Sequence, residues 1–94
     1  MVDVKEAVKK ALEMAKLLIP EEQLKNLALE EVVFDEVRNH WCITIGYDSS
    51  RVRTTTTGPS MFAGSTTQTV ERDYKLIRLN AATGEFVSME IREL

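Results

Sequence analysis

The segment DVKEAVKKALEMAKLLI, residues 3–19, carries the clearest structural pattern in the sequence. Its apolar residues recur three and four positions apart: Val4, Ala7, Val8, Ala11, Leu12, Ala15, Leu18 and Ile19. This spacing predicts an amphipathic helix with one buried face. Asp3 followed by Glu6 resembles a capping box, and Pro20 disfavours helical geometry at Ile19, so the sequence marks both ends of the helix.

A stripe of small side chains at Ala7, Ala11 and Ala15 runs along this helix. Small residues four apart allow a helix backbone to approach its packing partner closely, and we expect that partner to be a sheet. The residues expected to meet the helix are Trp41, Ile43, Ile45, Val87, Met89 and Ile91.

Beyond Asn26 the apolar pattern changes to the period of two that is typical of strands. Residues 41–47 and 87–91 alternate apolar and polar or small side chains, while residues 29–34 and 74–79 are strand-prone but apolar on both faces. Turns at residues 38–40 and 80–84 join the outer pairs of strands. We therefore expect an α+β fold, with an N-terminal amphipathic helix packed on a four-stranded antiparallel meander that contains a long central hairpin.

The hydrophobic pattern also suggests how these strands pair. Matching Ile43 to Leu79 and Ile45 to Ile77 places apolar residues on the helix side of the two central strands. For the last hairpin, the same reasoning pairs Leu79 with Val87 and Ile77 with Met89. This register sends Tyr74, Leu76 and Phe86 to the face away from the helix.

The central segment SSRVRTTTTGPSMFAGSTTQT, residues 49–69, is far longer than the median loop of about five residues. Its Ser, Thr and Gly content fits a disordered loop, but four consecutive Thr residues are strand-prone and fit a β-arm. Continuing the predicted register brings Thr55 opposite Thr67 and leaves residues 58–64 as the tip. No repeat or linker is visible, so residues 1–94 are expected to form a single domain.

The order of helix, two strands, loop and two strands, with EAVKKAL at residues 6–12 and YKLIRLNAATGEFVSMEI at residues 74–91, resembles the small PepSY-like domains. The stretch LNAATGEFVSM looks like their closing strand-turn-strand, although Asn80 stands where the family pattern has Asp. The resemblance implies a cystatin-like topology, in which a sheet curves around a helix. Some domains of this kind inhibit or modulate peptidases.

Composition excludes several functional classes. The net charge of −3 gives no general attraction to nucleic acid or anionic membranes, and the excess of acids lies in residues 1–36. Cys42 is the one cysteine, so no internal disulfide forms, and we expect a reducing, cytoplasmic location. No apolar run approaches the length of a membrane span.

The sequence offers few residues for catalysis or metal binding. His40 and Cys42 would share one face of a strand, yet a turn histidine and an inert thiol are the simpler interpretation. The acid pairs at residues 21–22, 30–31 and 35–36 are expected to be solvated edges. We therefore predict no catalytic residue, no metal site and no cofactor.

A mildly basic group of residues flanks the central segment: Arg51, Arg53, Arg72, Lys75 and Arg78. Nucleic-acid binding through them is disfavoured by the acidity of the remaining chain, so no nucleic-acid partner is expected.

The leading hypothesis is a non-catalytic interaction or inhibitor-like module whose partner is another protein or a second copy of the chain. The expected partner-binding residues are Met61 and Phe62 at the tip of the central segment, with Tyr74, Leu76 and Phe86 on the outer face of the sheet. Packing of Met61 and Phe62 back onto the body of the domain is the alternative for these two residues. The alternative is a small-molecule binder or minor enzyme with a pocket between helix and sheet, lined by Trp41, Tyr47 and Met14.

Overall fold

A computed structural model describes the backbone of residues 1–57 and 65–93, and the side chains of residues 1–49 and 71–93. Within these ranges the elements are the helix α1 (Val4–Leu18), a 3-10 turn (Glu21–Gln23) and the strands β1 (Lys25–Asp35), β2 (His40–Thr57), β3 (Ser65–Asn80) and β4 (Phe86–Ile91). The strands form one antiparallel sheet in the order β1-β2-β3-β4. The predicted α+β fold, one helix on a four-stranded meander, is confirmed.

Helix α1 begins and ends where the sequence predicts. The carboxylate of Asp3 accepts a hydrogen bond from the backbone N–H of Glu6 at 2.8 Å, and the N–H of Ile19 donates to the carbonyl of Ala15 at 2.9 Å. The predicted alanine stripe is fully buried. Val4 is half exposed, contrary to expectation, whereas Val2 packs against the core.

The core lies between α1 and one face of the sheet. Its fully buried sheet residues are Ile43, Ile45, Ile77 and Leu79. The predicted pairing of Ile43 with Leu79 is wrong by two residues, since Ile43 pairs with Ile77 and Trp41 pairs with Leu79. A shift of two keeps every side chain on its own face, so the hydrophobic pattern does not distinguish the two registers.

The last hairpin contains a register shift that changes which side chains reach the core. Ile77 pairs with Met89 as predicted, but an irregularity between Arg78 and Leu79 pairs Leu79 with Phe86. Phe86 consequently packs against the core, so its predicted position on the outer face is wrong. Val87 is half exposed, which also contradicts its predicted contact with the helix.

Ile91, the last residue of β4, was expected to meet the helix and is 79% exposed. It pairs with Lys75, outside the apolar core cluster. The outer hairpins turn at residues 36–39 and 81–83. The first turn lies ahead of the predicted residues 38–40, because His40 already belongs to β2, and the second lies within the predicted residues 80–84. Gly84 takes the positive φ of 79° that its sequence position indicates.

Strands β2 and β3 continue well past the rest of the sheet as a two-stranded ribbon, with pairs running from Val52↔Val70 to Thr57↔Ser65. We call residues 49–57 and 65–72 the arm. The radius of gyration is 17.5 Å, against about 12 Å for a compact domain of this length. The described parts of the segment 49–69 are strand, as the β-arm interpretation predicts. Met61 and Phe62 lie outside the described residues.

The predicted pairing of Thr55 with Thr67 is confirmed, although the register was predicted wrongly nearer the core. Asp48 pairs with Arg72, and the next pair is Val52 with Val70. Between these two pairs β2 has three residues and β3 has one. These two extra residues on β2 cancel the two-residue error.

Candidate interaction surface

The face of the sheet opposite α1, here called the open face, is organised by alternate residues of β3. Arg72, Tyr74, Leu76 and Arg78 lie directly across from Asp48, Gly46, Thr44 and Cys42 of β2. Because side chains alternate between faces along a strand, this set lies opposite the buried core residues of the same two strands. Tyr74 and Leu76 thus occupy the predicted face, while Phe86 does not.

Arg72 is the centre of an ion cluster at the base of the arm. Its Nη1 lies 2.7 Å from Oδ1 of Asp48, and its Nη2 lies 3.1 Å from Oε1 of Glu30 and 3.3 Å from the carbonyl oxygen of Asn26. The Asn26 side-chain amide also donates to Asp48, and the hydrogen bonds from Asn26 and Arg72 lower the pKa of that carboxyl. The cluster joins β1, β2 and β3 where the sheet gives way to the arm.

The local backbone explains why these groups meet. Asn26 has φ of 55°, and β1 carries register irregularities between Lys25 and Ala28 and between Leu29 and Glu31. Such bulges bend a strand and redirect its side chains. They lie beside the irregularity of β2 that begins after Asp48.

Arg78 is the centre of a second ion cluster near the other end of the open face. Its Nε lies 2.8 Å from Oε2 of Glu90, while its Nη1 donates to Sγ of Cys42 at 3.2 Å and lies 3.9 Å from Oδ2 of Asp35. A hydrogen bond from the Ser88 hydroxyl and another from Arg78 lower the pKa of Glu90. This cluster joins β1, β2, β3 and β4.

An ion pair between Glu31 of β1 and Arg92, the residue after β4, has Nη2 and Oε1 3.2 Å apart. Glu31 pairs in register with Thr44, whose side chain is 1% exposed and whose Oγ1 has no hydrogen-bond partner among the described residues. Tyr74 and Leu76 are half-buried. Charged pairs thus cover much of this face, so it differs from the bare apolar surface that the sequence suggested.

His40 and Cys42 lie on alternate positions of β2, so the expectation that His40 lies in a turn is wrong. Cys42 is buried, and this burial raises the pKa of its thiol although the Arg78 guanidinium acts to lower it. Nucleophilic cysteines are partly exposed and have a lowered pKa, so this environment fits the inert thiol that the sequence predicts. Among the described residues, no group of three or more His, Cys, Asp and Glu side chains is arranged to hold a metal ion.

Of the residues proposed to line a small-molecule pocket, Trp41 and Tyr47 pack in or against the core, while Met14 is half-buried and outside the core cluster. The Nε1–H of Trp41 donates to the carbonyl of Val2 at 2.9 Å, and its ring lies 5.1 Å from that of Phe34. Tyr47 is buried. Among the described residues, one open groove of about 410 Å³ lies beside Leu24 and Leu27, and another of about 480 Å³ is lined by residues 72–75 and 91–93.

Sequence reasoning missed the two ion clusters. Glu30, Glu31 and Asp35 were expected to be solvated edges, yet each forms an ion pair with an arginine of β3 or with Arg92. The spacing did indicate where the two arginines lie: Arg72 and Arg78 are an even number of residues from Tyr74 and Leu76 on the same strand, so they must share the face of these two residues. Which acids of β1 meet them depends on the register irregularities of that strand, for which the sequence gives no such signal.

No family model matches the chain, nor does any curated protein or solved structure. In the part of the chain that the structure describes, no helix is long and apolar enough to cross a membrane. The resemblance to PepSY-like domains stays a prediction.

Proposed function

We propose that this protein is a non-catalytic interaction module that binds another protein chain through its arm. The observation that carries the proposal is the extension of β2 and β3 beyond both of their neighbours. The pairing of β1 with β2 reaches Asp48, and the pairing of β4 with β3 reaches Lys75. Beyond these points, no other strand among the described residues pairs with an outer edge of the arm.

An unpaired strand edge presents backbone N–H and C=O groups that can pair with a further strand. A two-stranded ribbon in water is also marginally stable by itself. A partner strand added to one edge would supply backbone hydrogen bonds and stabilise the ribbon. These two properties support binding as the role of the arm.

The sheet supports this role by holding the base of the arm. Asp48 is the last β2 residue before the register shift, and Arg72 pairs directly with it. The bonds of Arg72 to Glu30 and Asn26 connect this pair to β1. The arm therefore begins from a base that three strands hold together, which reduces the entropy lost on binding.

The charges favour a protein partner over nucleic acid. Arg72 and Arg78 each form ion pairs with two carboxylates, so they are already neutralised where a phosphate would need them. The net charge of −3 also opposes general attraction to a polyanion. As for the class of protein, the PepSY-like resemblance supports an inhibitor-like role toward a peptidase.

Shortening the arm tests the proposal. Residues 54–69 are deleted and replaced by a short turn, which should leave the free energy of unfolding in urea within about 1 kcal/mol, since the core lies outside this segment. The full-length and shortened proteins are then compared as tagged baits in a lysate of the source cells, and as free proteins by sedimentation velocity. We expect the shortened protein to lose the binding that the full-length protein shows.

A full-length variant with Leu17→Ser, at an exposed position of α1, is the matched control and should bind as the wild type does. The proposal is wrong if the shortened protein binds as well as the full-length one. It is also wrong if the shortened protein fails to fold, because the arm would then be part of the folding core.

A further inference from the structure

We infer that the chain which binds the arm is a second copy of this protein, paired antiparallel along the outer edge of β3 at residues 65–70. The inference rests on the proposed function, since it takes the arm to be the binding element.

The distribution of charge distinguishes the two edges of the arm. Charged residues make up 29% of the chain, but none occurs from Thr54 to Val70. On β2 the arm carries Arg51 and Arg53, with Arg53 next to the Thr-rich run, whereas on β3 its charges, Glu71 and Arg72, lie at the base and residues 65–70, STTQTV, are all uncharged. Charged residues on an edge strand are a common protection against pairing with another chain. The β3 edge lacks that protection over six successive residues.

The direction of the backbone groups on β3 follows from one hydrogen bond. The carbonyl of Tyr74 accepts from the N–H of Arg92 at 3.0 Å, so Tyr74 directs its backbone groups away from β2. Backbone groups alternate along an antiparallel strand, and the register shift adds its extra residues to β2, so the alternation of β3 continues into the arm. Thr66, Gln68 and Val70 therefore present their N–H and C=O groups on the outer edge.

A second copy fits this edge because antiparallel pairing of a strand with its own copy across a two-fold axis is self-complementary. The uncharged sequence brings no like charges together in such a pair, and Thr and Val favour extended structure. Pairing would also join two ribbons into one four-stranded sheet in the order β2-β3-β3-β2. Sheets of three or more strands are far more stable than an isolated ribbon, so both arms gain equally.

Two proline substitutions at the same level of the arm test the inference. Gln68 pairs directly with Thr54. By the alternation described above, the N–H of Gln68 points away from the ribbon on the β3 edge, and the N–H of Thr54 points away from it on the β2 edge. Gln68→Pro removes a donor from the β3 edge without removing a bond within the ribbon, and Thr54→Pro does the same for the β2 edge.

Sedimentation velocity over a dilution series measures the dimer dissociation constant for the wild type and both variants. We expect the wild type and Thr54→Pro to dimerise alike and Gln68→Pro to weaken the dimer at least about tenfold, because two donors are lost per dimer. A wild type that stays monomeric throughout overturns the inference, as does an equal loss in both variants.

Amide hydrogen exchange on the wild type gives a second measurement that needs no variant to fold. Protection of the amides of residues 66, 68 and 70 should rise with protein concentration, while that of residues 52, 54 and 56 should not. Protection that does not depend on concentration would contradict a second copy. A monomeric wild type whose arm still captures a different protein would leave the proposed function standing and this inference refuted.

Discussion

Tyr74 lies directly across from Gly46 on the open face, with its ring carbon Cε1 3.0 Å from the position that a Cβ on residue 46 would occupy. The same position lies 2.7 Å from Oε1 of Glu30 and 3.1 Å from Nη2 of Arg72. The missing side chain of Gly46 therefore leaves the space in which groups from β1 and β3 meet over β2.

Gly46→Ala should change the free energy of unfolding by less than about 1 kcal/mol. The Tyr74 ring has to shift by only a few tenths of an ångström, and the crowded Glu30 and Arg72 atoms are the ends of mobile side chains whose ion pair contributes little in water. Loss of glycine flexibility in the unfolded chain offsets part of this crowding. Urea unfolding measures the change. Gly84→Ala is the comparison: its φ of 79° is unfavourable for alanine, so a loss of about 1–2 kcal/mol is expected there. A larger loss at Gly46 than at Gly84 would contradict this account.

Ala11→Leu should destabilise the fold by about 1–3 kcal/mol, because Ala11 is fully buried where α1 approaches the sheet and a larger side chain would overpack this contact. Chemical denaturation measures the loss. Leu17, which is 77% exposed on the same helix, provides the control, and Leu17→Ala should have an effect below about 0.5 kcal/mol. Unchanged unfolding of Ala11→Leu would refute the packing of the alanine stripe.

Stability should fall as the pH drops below about 4, the ordinary range for carboxylic acids. Hydrogen bonds from Asn26 and Arg72 lower the pKa of Asp48, and hydrogen bonds from Ser88 and Arg78 lower that of Glu90. A group whose pKa is lower in the folded state stabilises the fold above its unfolded pKa, and this stabilisation is lost as pH falls through the folded pKa. Urea unfolding at neutral and acidic pH measures the loss.

Asp48→Asn removes one of these titrating groups and should make the acid-induced loss of stability smaller than in the wild type. The account fails if the wild type unfolds at the same urea concentration at neutral pH and well below pH 4.

Cys42 should react slowly with iodoacetamide in the folded protein at neutral pH. The thiol is buried, and its burial raises its pKa, so little thiolate is present and access to it is poor. The rate is compared with that in urea and with an exposed cysteine in a Cys42→Ser, Thr83→Cys variant. Alkylation of the folded wild type at the rate of the exposed cysteine would show that Cys42 is accessible and activated.

The fold was predictable because its signals are local. The helix caps, the alanine spacing and the alternation at Trp41–Tyr47 each depend on a few neighbouring residues. The register of β2 with β3 was not predictable from the hydrophobic pattern, because a two-residue slip between these strands leaves all side chains on the same faces. The position of Phe86 was missed for the opposite reason, since a one-residue bulge moves a side chain to the other face without changing the alternation that the sequence displays.

By itself, the sequence determined one helix with a buried alanine stripe, a meander of alternating strands and an uncharged Thr-rich segment between the central two. Tertiary structure alone decided which carboxylates meet Arg72 and Arg78, and how far β2 and β3 extend beyond their neighbours. The difference is physical. Helix caps and strand periodicity arise from residues adjacent in the chain. The ion clusters depend on which side chains meet when separate strands pair, and the extent of the arm depends on where β1 and β4 stop pairing with the central strands.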